Sequence, residues 1–279
     1  MKTRLFTGSF VALTVLWLIF RGHMSLITSV VLLCTGLGYV EYDRLFFNEE
    51  LSSPPVLRQL RMFFILSFSI LAIRRGPEPA WIAVWLSIAV LAVRQVLDSE
   101  RRNQFERSVA VFGLEVLGYF YLLGLFGFIL PVLEMQEGRL WLLFLFLIVF
   151  LGDTAAYFVG MQWGKHRLAP HISPKKSIEG AIAAVVTAAL VGFFWVVGVM
   201  KTDPLSSFGV KVIFFTPVLS LLAQAGDLFE SMLKRSRTQK DSGNLLPGHG
   251  GILDRVDGLF LATPIFYFYL KFLLLPGDA

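Results

Sequence analysis

The stretch LWLLFLFLIVFLGDTAAYFVG, residues 140–160, carries a single charge, Asp153. A helix rises about 1.5 Å per residue, so a run of this length crosses the roughly 30 Å hydrocarbon core of a bilayer. A surface helix of a soluble domain would show a polar face at helical period, and this run has none. An acid past the middle of such a span is expensive in lipid, and it marks a residue facing protein or a water-filled cavity.

The rest of the chain repeats the pattern. Hydrophobic residues make up 56% of the 279 positions, charged residues 16%, and there are 27 phenylalanines. A soluble domain carries about 25% charged residues. Continuous apolar runs in place of alternation exclude a β-barrel. The expected fold is therefore all-α, a polytopic membrane protein with about nine spans near 5–20, 25–43, 56–73, 79–97, 109–132, 140–160, 178–200, 208–233 and 258–275. The N-terminal run lacks a small-residue cleavage site and reads as a retained first span. The lone Cys34 lies in an apolar run and reads as a small buried hydrophobe.

Nine spans divide the loops into two sets. Eighteen of the 25 Lys and Arg residues fall on the side that holds the N-terminus and the loops after spans 2, 4, 6 and 8. The positive-inside rule makes that side cytoplasmic. Seven acids then come out toward the cytoplasmic end: Glu115, Asp153, Glu179, Asp227, Glu230, Asp254 and Asp257. Together they suggest a cavity opening to the cytoplasm. Residues 1–110 read as membrane helices without distinctive chemistry. Residues 111–279 read as the catalytic region, with cytoplasmic loops 161–177 and 234–257.

Two polar segments carry that chemistry. Residues 231–257, SMLKRSRTQKDSGNLLPGHGGILDRVD, interrupt the apolar runs with Lys234, Arg235, Arg237, Lys240 and Arg255. Asp227 and Glu230 are three apart on span 8, Ser231 and Lys234 continue that face, and Asp254 and Asp257 repeat the spacing. Carboxylates brought together in this way repel unless a cation lies between them. Mg²⁺ takes one or two carboxylates and completes its shell with phosphate oxygens and water. Gly243, Gly248, Gly250 and Gly251 would let backbone amides approach a phosphate. The second segment, ISPKKSIEG at 172–180, places Lys175 and Lys176 before a helix that Ser177 would cap and Glu179 would favour by charge. Adjacent lysines there oppose the helix dipole unless an anion binds. GMQWGKH lacks P-loop spacing, and His166, His171 and His249 make no zinc pattern. His249 reads as a loop donor or phosphate contact.

These residues resemble the phosphatidate cytidylyltransferase (CDP-diglyceride synthetase) family. Its signature runs S-x-apolar-K-R, four residues, K-D, a small residue, then P-x-H-G-G-apolar-x-D-R-apolar-D. Ser231, Lys234, Arg235, Lys240, Asp241, Pro247, His249, Gly250, Gly251, Asp254, Arg255 and Asp257 match it at every defined position. AQAGDLFES before it and ISPKKSIEG are similar to that family too, so the likeness covers about 150–264. Ser177 stands where a Thr is expected, Ile178 where a Trp or Val is, and Gly258 where a Ser is common.

The resemblance implies transfer of a cytidylyl group from CTP to phosphatidic acid, giving CDP-diacylglycerol and pyrophosphate for phospholipid synthesis. It implies Mg²⁺ held by Asp227, Asp254 and Asp257, with Asp153 a candidate for a second, monovalent or divalent cation. Catalytic charge would come from Asp227, Lys234, Arg235, Lys240, Asp254, Arg255 and Asp257. Substrate would meet Ser173, Lys175, Lys176, Ser231, Asp241, His249, Gly250 and Gly251. A homodimer in a bacterial inner membrane, with the site facing the cytoplasm and no nucleic-acid partner, completes the expectation. Two rivals stand beside it. Another CTP-using lipid enzyme, such as a polyprenol kinase, would differ in its acceptor. A transporter would place its site near the midplane between repeats.

Overall fold

The computed structural model describes residues 2–47, 59–67, 77–243 and 250–275. Its elements run α1 (Lys2–Arg21), α2 (Met24–Phe46), α3 (59–67), α4 (Pro77–Arg102), α5 (Phe105–Leu122), α6 (Ile129–Glu134), α7 (Gly138–Trp163), β1 (Arg167–Ala169), β2 (Ser173–Ser177), α8 (Ile178–Phe194), α9 (Ser207–Ser236), α10 (Leu253–Val256) and α11 (Leu259–Tyr269). Wider π-helical turns follow α5, α8 and α11.

Among the described residues, five helices are long and apolar enough to cross a bilayer: Met24–Phe46, Phe105–Glu134, Gly138–Trp163, Ile178–Val199 and Ser207–Ser236. Shorter apolar helices cover Ala12–Arg21 and Leu259–Leu274. The protein is thus an all-α membrane protein in its spanning part. The expected span over 79–97 lies within α4. Of the one over 56–73, only 59–67 is described. Large apolar side chains such as Trp85, Leu86, Phe214 and Leu221 point outward, an arrangement suited to lipid rather than water.

The polar loop after α7 departs from the expected all-α reading by folding as a hairpin. β1 and β2 pair antiparallel, with Arg167 opposite Ser177 and Ala169 opposite Ser173. Pro174 supplies the reason: it disfavours helix at the residue before it and biases Ser173 toward extended backbone. Ser177 then caps α8, its Oγ accepting from Gly180 N at 3.1 Å.

The chain divides into two compact units by its internal contacts, Met1–Glu134 with Asp241–Asp254, and Met135–Lys240 with Arg255–Ala279. This division differs in kind from one drawn at residue 110 by motif content.

In the first unit α5 packs on α4 and α2. Tyr42 on α2 donates its hydroxyl to Leu114 O at 2.9 Å. A Cβ at Gly118 would strike the Tyr42 ring. The unit buries a knot of charge that sequence reading missed. Glu115 accepts from Arg94 at 3.3 Å and Gln95 at 3.1 Å. Arg61 lies 3.7 Å from Glu115 and 3.9 Å from Asp43, its guanidinium over Phe47. Residues 1–110 contribute Asp43, Arg61, Arg94 and Gln95 to this cluster around Glu115. An ion pair in lipid needs several partners to offset its desolvation.

In the second unit small residues bring helices close. A Cβ at Gly180 would lie 2.6 Å from Ala156 O, and one at Gly192 2.8 Å from Thr216, the close approach that Gly and Ala permit in membrane interfaces. Trp141 packs among Phe144, Phe208 and Phe266, and Phe215 stacks on Tyr269 with centroids 3.6 Å apart.

Candidate active site

In the second unit, four elements bring acids and lysines together: α7 with Asp153, β2 with Lys176, α9 with Asp227, Glu230 and Lys234, and the turn before α11 with Asp257. Lys176 Nζ lies 2.5 Å from Asp227 Oδ2, and both side chains are about one-quarter exposed. The Lys176 ammonium atom is itself buried, and no group among the described residues gives it a well-formed hydrogen bond. It therefore keeps donor capacity beyond its ion pair. Lys176 sits on β2, just before α8, and the Asp227 carboxylate stands beside it.

The Asp227 carboxylate acts as a like charge on both Asp153 and Asp257. Burial, reinforced by the carboxylates of Asp227 and Glu230, holds the Asp257 carboxyl well above the usual carboxylate range, with Lys234 pulling the other way. Lys234 donates to Glu230 Oε2 at 2.6 Å from a buried position. Its ammonium thus balances the acid cluster. Arg235 is exposed and donates to Ile172 O at 3.4 Å and Gln239 O at 3.5 Å. Lys175, Lys240 and Arg255 are exposed, and Ser173 and Ser231 are half-buried.

The approach of Asp257 to Asp227 depends on Gly226. A Cβ there would lie 2.7 Å from Asp257 O. Gly226→Val is expected to push the Asp257 turn away and lower kcat by about tenfold or more, since ångström displacements in a reacting site have costs of that order. Steady-state kinetics at saturating substrate check this, and unchanged kcat would separate that contact from function.

In the first unit, residues 241–243 and 250–254 are organised by two carboxylates. Asp254 Oδ2 accepts from Ser242 N at 2.9 Å, Ser242 Oγ at 3.0 Å and Gly251 N at 2.8 Å. Glu41 Oε1 accepts from Ile252 N at 2.9 Å, and its Oε2 from Leu253 N at 3.0 Å and Ser242 Oγ at 3.2 Å. Gly250 has φ +83°, and a Cβ on it would lie 2.7 Å from Asp254 Oδ2. The glycine pair thus admits protein carboxylates, and the amides of 251–253 are spent on them. The expected open amide cradle for phosphate is not what these three residues form. Asp241 is exposed, while Pro247 and His249 lie outside the described residues.

Of the seven acids expected at one level, four gather in the second unit. Glu179 instead accepts from His166 Nδ1 at 2.7 Å and from its backbone amide. Glu115 and Asp254 belong to the first unit. Sequence reading undervalued Glu230, although its spacing from Asp227 was visible, and it missed Glu41, for which an acid ending an apolar run was the one signal.

Among the described residues, no three His, Cys, Asp or Glu side chains converge into a complete metal cage. What Asp227, Asp257 and Asp153 offer is all-oxygen, mutually repelling and partial. That suits a hard cation whose remaining ligands are phosphate oxygens and water.

The protein is thus a helical membrane protein that gathers carboxylates and lysines from α7, β2, α9 and the turn before α11. The family model described as "Cytidylyltransferase family" matches residues 2–273. The chain is 32% identical over 282 residues to a phosphatidate cytidylyltransferase of Thermotoga maritima, covering 98% of this chain and 97% of that one. It is 34% identical over 270 residues to one of Staphylococcus epidermidis (95% and 97%) and 28% identical over 271 residues to one of Bacillus subtilis (97% and 97%). The chain belongs to the cytidylyltransferase family, and it is an enzyme of that kind.

Proposed function

We propose that this protein transfers the cytidylyl group of CTP to phosphatidic acid, forming CDP-diacylglycerol and pyrophosphate. The observation that carries the reading is the buried Lys176 ammonium, paired with Asp227 and still short of acceptor partners, beside a group of carboxylates. A phosphate oxygen would satisfy that ammonium, and a cation would relieve those carboxylates.

In this reaction a phosphatidate oxygen attacks the α-phosphorus of CTP. A P–O bond forms, the bond from the α-phosphorus to the bridging oxygen breaks, and pyrophosphate leaves with its electron pair. The nucleophile is already ionised, so positioning and charge stabilisation do the work and no strong general base is required. Asp227 and Asp257 would hold Mg²⁺, with Asp153 available to a second cation. When bound, the metal neutralises charge on the triphosphate. Asp254 stays in the proposed metal set on its place in the signature, with the constraint that its Oδ2 already accepts from two backbone amides, Ser242 N and Gly251 N.

Lys175, Lys176, Arg235, Lys240 and Arg255 would meet phosphate. Ser173, Ser231, Asp241, His249, Gly250 and Gly251 would line the substrates. Lys234 would keep the acids in balance. The excess of Lys and Arg on one set of loops supports nine spans, a cytoplasmic N-terminus and a site facing the cytosol, where CTP is found. Family likeness supports a homodimer in a bacterial inner membrane.

The test is pyrophosphate release by purified, detergent-solubilised protein with CTP, phosphatidic acid and Mg²⁺, each omitted in turn. Release that requires all three and yields a CDP-lipid is expected. Formation of CDP and a polyprenyl phosphate when a polyprenol replaces phosphatidic acid, or no pyrophosphate release with phosphatidic acid, would overturn the assignment.

A further inference from the structure

We propose that Glu41 is a positioning residue for the reaction, its buried carboxylate fixing where Ser242, Ile252 and Leu253 sit, and through the last two the adjoining Gly250 and Gly251. The inference rests on the proposed function for its meaning, because those glycines matter only if substrate meets them. Glu41 lies on α2, some 200 residues away in sequence, and matches nothing in the 231–257 signature.

The local chemistry is that of a built socket. Glu41 is 1% exposed. A carboxylate so placed is costly unless hydrogen-bonded, and this one accepts from Ile252 N, Leu253 N and Ser242 Oγ. The two amides stand at the entry to α10, where a helix leaves its first donors without partners. Glycines make the room. A Cβ at Gly243 would lie 2.8 Å from Glu41 Oε1, and one at Gly251 2.5 Å from Oε2.

Ser242 ties this socket to the other carboxylate of the unit. Its hydroxyl is 3.2 Å from Glu41 Oε2 and 3.0 Å from Asp254 Oδ2. With one proton it donates to one of them at a time. Ser242 and residues 251–253 are therefore clasped between Glu41 on α2 and Asp254. An apolar side chain at 41 would fill the space without dictating direction. A carboxylate with two backbone donors sets where Ile252 and Leu253 sit, and with them Gly250 and Gly251.

The experiment uses full-length Glu41→Ala and Glu41→Gln in detergent, with two readouts: amide exchange of peptides covering 242–256, and kinetics with CTP, phosphatidic acid and Mg²⁺. Glu41→Ala should speed exchange at 252 and 253 with little change elsewhere and lower kcat on the order of a hundredfold. Glu41→Gln keeps size and one accepting oxygen, so it should fall between Ala and wild type in both readouts. Glu41→Ala with wild-type kcat and KM for CTP overturns the proposal even if Tm falls, and so does exchange that rises evenly along the chain. Should Glu41→Ala not fold, Glu41→Gln decides on the same readouts. If the wild type makes no CDP-lipid, the proposed function fails, while local exchange still decides whether Glu41 holds the segment.

Discussion

Asp227→Asn is expected to lower kcat by on the order of 10²–10³-fold, the scale seen when one preorganised charge-stabilising group is removed from a reacting site. The substitution keeps size and removes charge. Lys176, 2.5 Å from Asp227 Oδ2, then loses its partner, and the repulsion that Asp227 exerts on Asp257 and Asp153 disappears. Two effects should separate. Turnover should not recover at high Mg²⁺, since a carboxylate oxygen anion is gone, whereas Tm should change little because both partners are partly open to solvent. Near-normal turnover at saturating Mg²⁺ would remove Asp227 from the proposed metal set, and with it the central role of the cluster in the second unit.

Lys234→Met should act on stability first. Its Nζ bonds Glu230 Oε2 at 2.6 Å with both side chains nearly enclosed, and Lys234 is also the cation that opposes the acids around Asp257. Removing one partner of a buried ion pair costs about 3–5 kcal/mol because the other charge is left behind. Tm should therefore fall by several degrees, and Glu230→Gln added to Lys234→Met should restore most of the loss. A triphosphate ligand would behave differently: KM for CTP would rise, Tm would hold, and the second substitution would rescue nothing. Thermal scans and CTP kinetics on the single and double variants decide between the two.

The long apolar helices were legible because lipid imposes a simple requirement, and Leu140–Val149 meets it without exception. Asp153, Asp227 and Asp257 were legible as acids in apolar surroundings, but the pairing of Lys176 with Asp227 was not. Partners chosen by tertiary packing were not legible. Nothing local to Glu41 says that it bonds Ile252 and Leu253, and nothing in HGG says that Gly251 makes room for a carboxylate rather than a phosphate. Lys234 shows the same limit: a lysine in a basic, glycine-rich segment reads as an anion ligand until the buried acid one turn earlier is seen to hold it. The hairpin at 167–177 was hidden for another reason. Its strands are too short for period-two alternation to show, and only Pro174 hinted at extended backbone.

The segment 241–254 belongs with the first 134 residues although it is embedded in the sequence of the second unit. Inheritance and engineering therefore cannot treat the two halves of the gene as separable parts. A chimera that takes its first 134 residues from one relative and the remainder from another exchanges position 41 but leaves the loop it grips unchanged. A fragment beginning at Met135 would carry the whole signature and lack its anchor. The unit of successful exchange is residues 1–134 together with 241–254, a discontinuous module whose two pieces have to be transplanted as one.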